Sequence, residues 1–73
     1  MKVFVLNCEI GGDFQTLGVY TSIAVALETL SRQHLEENEH IEHFAAINRQ
    51  HFVIYTNMAI YTINEHIVKG ANK

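Results

Sequence analysis

Histidine, cysteine and clustered carboxylates are the residue types here that could bind a metal or move a proton. Five histidines fall within 73 residues. His40 and His43 are three apart, with Glu36, Glu39 and Glu42 beside them. On a continuous helix, two imidazoles with a neighbouring carboxylate form a plausible surface metal site. On a strand the same two histidines point to opposite faces, and the site disappears. No two histidines four apart enclose a catalytic Glu. A solvated polar segment accounts for this spacing more simply, so no metal is expected. His34 is expected at the rim of the helix, and His51 and His66 at strand ends.

Glu36, Glu37, Glu39 and Glu42 place four carboxylates in seven residues with no lysine or arginine among them. Such a run either faces water or docks on a basic surface. Cys8 lies in an alternating apolar run, where a buried thiol is normally inert. Asp13 and Glu65 are isolated. Gly11-Gly12 lacks the Lys-Ser/Thr ending of a phosphate loop and opens no helix. These residues predict a protein that is not an enzyme and uses no cofactor.

Composition narrows the partners. With a formal charge of −3 and only Lys2, Arg32, Arg49, Lys69 and Lys73 as basic residues, scattered along the chain, nucleic acid is not an expected ligand. Val3-Phe4-Val5-Leu6 is too short for a signal peptide, and no stretch approaches the ~20 apolar residues that span a bilayer. A cytoplasmic protein is the expectation. One cysteine excludes an intrachain disulfide, so a domain this small, whose core supplies only ~3–5 kcal/mol, is expected to gain support as a homodimer.

The elements that must position these side chains follow from periodicity. Lys2 to Ile10 alternates, with Phe4, Leu6, Cys8 and Ile10 on one face and Val3, Val5, Asn7 and Glu9 on the other. Gly11 to Thr16 reads as a loop, with Phe14 at its tip, before a second strand from Leu17 to Thr21. All three tyrosines share one strand-forming pattern, a β-branched residue, Tyr and Thr: Val19-Tyr20-Thr21, Ile54-Tyr55-Thr56 and Ile60-Tyr61-Thr62. Ser22 is a helix N-cap candidate. Ile23, Ala26, Leu27, Leu30 and His34 then recur at helical spacing, predicting about four turns that weaken near Asn38.

Ile41 to Asn48 fits either period. A strand is favoured, because Asn48-Arg49-Gln50-His51 makes a turn into the strand Phe52 to Thr56. A second short helix is the alternative. A turn centred on Asn57-Met58 would oppose Tyr55 to Ile60 and Ile54 to Tyr61, and the last strand should run from Ala59 to Val68 and fray beyond it.

Lys2-Val3-Phe4-Val5-Leu6, followed by Gly18-Val19-Tyr20-Thr21-Ser22 and Ala26, resembles the opening of small uncharacterised proteins of bacteria and their phages, in which a strand hairpin passes through a Gly-Val-Tyr-Ser-like step into a helix. The resemblance covers about the first third of the chain and implies a cytoplasmic α+β module with no catalytic residues to carry over.

The expected architecture is therefore one α+β domain over residues 1–73, an antiparallel sheet of four to five strands on one amphipathic helix, ordered β-β-α-β-β-β or β-β-α-β-β. The expected function is non-enzymatic protein binding, in its concrete version a phage-type inhibitor of a host or defence protein. Partner contacts are expected from Glu36, Glu37, Glu39, Glu42, Tyr20 and Tyr55, and dimer contacts from Val3 and Val5. The competing function is a small-ligand or metal-binding module built on His40, His43 and the nearby carboxylates.

Overall fold

In the computed structural model, residues 1–68 are described; the fraying expected over 69–73 lies outside them. The order is β1 (Lys2–Ile10), β2 (Asp13–Tyr20), α1 (Ile23–Thr29, continued by a π turn Leu30–His34), β3 (Ile41–Asn48), β4 (His51–Thr56) and β5 (Ile60–Ile67). The five strands form one antiparallel sheet in the order β2-β1-β5-β4-β3. The domain is α+β, and the stretch 41–48 is a strand.

Two local expectations need correction. The first connection is tighter than a six-residue loop: Gly11 and Gly12, at φ +60° and +90°, make the whole turn, and β2 begins at Asp13. Positive φ at both positions suits a two-residue hairpin whose twist matches the strands. Phe14 thus lies within β2, exposed, rather than at a loop tip. The helix is also shorter than predicted. Ser22 caps it, accepting the Val25 N–H at 3.1 Å, and Leu35 N–H closes the last turn onto the Leu30 carbonyl at 3.2 Å. Leu35 is already extended, which leaves the acidic residues beyond the helix. Carboxylates are disfavoured in a last helical turn, where carbonyls point outward.

Helix and sheet meet through the predicted stripe. Leu6, Cys8, Ala26, Leu30, Ile54, Ala59, Tyr61 and Ile63 form the core, and Phe4, Leu17, Tyr20, Ile23, Leu27, Leu35 and Phe52 pack against it. A bulge between Leu6 and Asn7 makes Leu17 the extra residue of β2. The bulge brings Leu17 to the core, where strict alternation from Gly18 would turn it away. Across the last hairpin, Ile54 opposes Tyr61 and Tyr55 opposes Ile60, the expected register.

The helix lies over β1 and β2. The other face of the sheet carries Val3, Val5, Val53, Tyr55, Ile60 and Thr62, and among the described residues no helix lies across it. β3 forms one edge and is broken by two irregularities, at Glu42 and Ile47. Such bulges blunt an edge against pairing with other strands.

Candidate functional site

The acidic segment does not behave as one group. Glu36 to Glu39 forms a turn in which the Glu39 N–H bonds the Glu36 carbonyl at 3.0 Å, and Glu39 Oε1 accepts the Glu36 N–H at 3.0 Å. That reciprocal closure turns the Glu39 side chain inward, where it is only 8% exposed. Its Oε2 accepts from the Thr56 hydroxyl and from the Tyr61 hydroxyl, the latter at 2.9 Å. Glu36, Glu37 and Glu42 remain exposed. Glu39 therefore belongs to the interior, and the expectation that the whole run faces water or a basic surface fails for it.

Thr56 ties this carboxylate to the sheet. Its Oγ accepts the Met58 and Ala59 N–H groups at 3.1 and 2.9 Å, closing the turn between β4 and β5, while its single proton goes to Glu39. Asn57, in the same turn, accepts the His40 N–H at 2.8 Å and donates to the Asn38 carbonyl at 3.0 Å. Loop 38–40 is thus fastened to the last hairpin by side chains 17 to 19 residues away.

The electrostatics follow from this geometry. Burial acts to raise the Glu39 carboxyl, but hydrogen bonds from Thr56, the Glu36 backbone and Tyr61 outweigh it and hold the group below the usual carboxylate range. Burial, followed by the hydrogen bond to Glu39 and then the Glu39 charge, pushes the Tyr61 phenol far up. Burial also pushes the Cys8 thiol up; hydrogen bonding to Tyr61 opposes this, and the Glu39 charge adds to it. A thiol shifted upward and 9% exposed is a poor nucleophile.

These groups border an open pocket of about 550 Å³ at the end of the sheet, between the π turn, the acidic loop and the tips of β1 and β5. That volume lies in the range of small-molecule and side-chain binding sites. Ile10, Leu17, Met58 and Ala59 supply apolar wall; Glu36, Glu37 and Glu39 supply the charge; Cys8, Tyr61, His34 and Asn38 complete the polar lining. Sequence spacing marked the carboxylates but not the pocket, because Tyr61, Met58 and Cys8 reach it only through strand pairing. The one available signal was that Cys8 and Tyr61 share a strand-like phase with the core residues around them.

The remaining expected site residues are dispersed. Glu42 sits at the β3 irregularity, its carboxylate 3.5 Å from His40 Nε2, and does not line the pocket. His43, in β3, stacks obliquely near Tyr55 on the open face, ring centres 5.9 Å apart. Tyr20 lies on the opposite, helix-side face, packed over Gly18, where a Cβ would meet its ring and hydroxyl at 2.5–3.0 Å. Tyr20 and Tyr55 thus do not share a surface. Val3 and Val5 are half-buried on the face that carries Tyr55. Among the described residues, no group of three or more His, Cys, Asp or Glu side chains is placed to hold a metal ion, and no helix is long and apolar enough to cross a membrane.

Comparison with known proteins returns no matching family model, no matching curated protein and no matching solved structure.

Proposed function

We propose that this chain is a non-enzymatic protein-binding module that docks a basic partner at the acidic end of its sheet, with inhibition of a host or defence protein as the concrete version. The observation that carries this reading is the division within the acidic run. Glu39 is spent on the fold, whereas Glu36 and Glu37 are exposed, line a partly apolar pocket and make no ion pair with any described residue. Exposed like charges with no folding role cost stability through mutual repulsion, and a surface that keeps them is suited to steering an oppositely charged partner.

The same reading has the module act as a homodimer through the open sheet face. Five strands spaced about 4.8 Å apart and some eight residues long present roughly 600 Å² of sheet, so face-to-face packing of two copies would bury about 1,200 Å² in all. That is the lower end of a specific interface. Val3, Val5, Val53 and Tyr55 supply its apolar part, and among the described residues Glu9 is the only fully charged side chain that the register puts on this face.

The function is tested by affinity capture from the native host with two baits, the parent and the Glu36→Lys, Glu37→Lys chain. A protein with a basic surface retained by the parent and lost by the variant supports the reading. Identical captured sets, or none, would contradict it.

A further inference from the structure

The pocket at the acidic end has a chemistry more specific than its charge. Its walls are hydrocarbon, with Ile10 and Leu17 from the first hairpin and Met58 and Ala59 from the last. One end is anionic. Glu39, nine-tenths buried, is held by three neutral donors, the Thr56 hydroxyl, the Tyr61 hydroxyl and the Glu36 N–H, so its negative charge is solvated but not neutralised. Among the described residues no lysine or arginine lines the pocket, and His34 is its only basic side chain. Lys2 is engaged with Glu65 at 4.0 Å and Arg32 with Glu28 at 3.6 Å, and neither lines the pocket.

An apolar passage that ends in uncompensated negative charge discriminates between ligands. An anion is repelled by three carboxylates, and a purely apolar group supplies no opposite charge to them. A hydrocarbon stem tipped with a cation satisfies both halves, with the stem against the walls and the charge at the carboxylates. We propose that the pocket receives a lysine side chain of the partner protein, its stem between Leu17 and Met58 and its ammonium at Glu36, Glu37 and Glu39; this rests on the reading above that the partner is a basic protein. The ammonium suits the site because it is a compact charge with three rotatable donors, able to meet carboxylates that come from different directions.

The test needs no identified partner. Backbone amide shifts of the labelled protein are followed by NMR while N-acetyl-lysine-methylamide is added. N-acetyl-norleucine-methylamide, which has the stem without the charge, is the control ligand, and the Glu36→Gln, Glu37→Gln chain is the control protein. Both substituted residues are exposed, so the parent's amide spectrum should persist away from the pocket. The expected result is saturable shifts at Cys8, Ile10, Leu17, Ala59 and Tyr61 with the lysine analogue, no comparable shifts with the norleucine analogue, and affinity about threefold to tenfold weaker in the double variant. Absence of shifts, equal response to norleucine, or unchanged affinity in the variant would overturn the inference. Partner capture that depends on Glu36 and Glu37 without lysine binding would overturn this inference alone. Lysine binding without any captured partner would overturn the protein-binding reading and leave a site for small cations.

Discussion

Glu39 and Glu37 are two positions apart and chemically identical, yet they do opposite work. Glu39 accepts three hydrogen bonds in the interior, whereas Glu37 meets water. Replacing Glu39 with alanine strands the Thr56 and Tyr61 hydroxyls and should cost about 2–4 kcal/mol, while Glu37→Ala should stay within about 0.5 kcal/mol of the parent. Urea melts of the two variants measure this directly. Thr56→Val removes the acceptor of two turn N–H groups as well as a donor to Glu39, and a loss of about 1–3 kcal/mol is expected. The cluster also sets a pH dependence. Because the folded Glu39 binds its proton more weakly than the unfolded one, its contribution is present above the ordinary carboxylate range and is lost as pH falls through it. Tyr61 and Cys8 are shifted upward, so their contribution holds below the ordinary thiol and phenol ranges and declines as pH rises through and beyond them. Thermal melts across pH should therefore show a mid-range plateau, and the alkaline decline should shrink in Tyr61→Phe. None of this was legible in the sequence. Four glutamates in seven residues look alike until a turn closes on one of them and strand pairing brings two distant hydroxyls to it.

The elements were more legible than the site, for reasons visible in single residues. Phe4, Leu6 and Cys8 alternate against Val3, Val5 and Asn7, and an alternating pattern admits only one phase once one face is buried. The register of the last hairpin followed from placing the turn at Asn57-Met58. The helix stripe was also in phase: Leu30 is fully buried and Leu27 half-buried against the core. Leu30→Ala should thus cost about 2–5 kcal/mol and Leu27→Ala clearly less, an ordering that denaturant melts can check. What failed was the ends of elements. The sequence carries the helix to near Asn38 because Thr29, Arg32, Gln33 and Glu36 continue a helical polar face, although Glu39 instead folds back onto Thr56 and Tyr61. Paired glycines followed by Asp13 read as a loop from Gly11 to Thr16, although a Gly-Gly turn at positive φ leaves Asp13 opposite Ile10 and in the ladder. Gly12→Ala puts a Cβ at φ +90° and should lower stability by about 1–2 kcal/mol without altering the pocket.

As a whole, the molecule is a sheet wider than its single helix can cover. Its radius of gyration is 12.9 Å, against about 11 Å for a compact chain of this length. Phe44 and Phe52 stack beyond the helix, ring centres 6.0 Å apart, and among the described residues no helix covers the opposite face. An incompletely covered sheet with no disulfide is the physical ground for expecting a second copy. Light scattering at high micromolar concentration should give twice the chain mass for the parent and the single-chain mass for Val5→Asp, and a parent that stays single would remove the dimer from the account. The central claim is that the acidic end binds a basic partner and that Glu36 and Glu37 steer the encounter while Glu39 holds the site in shape. Its most direct test is the association rate between the captured partner and either the parent or the Glu36→Lys, Glu37→Lys chain, measured over a range of ionic strength. The expected result is a fast parent rate that falls steeply with salt and a slow, nearly flat rate for the variant, with both chains equally folded. Superimposable salt profiles for the two chains would contradict it.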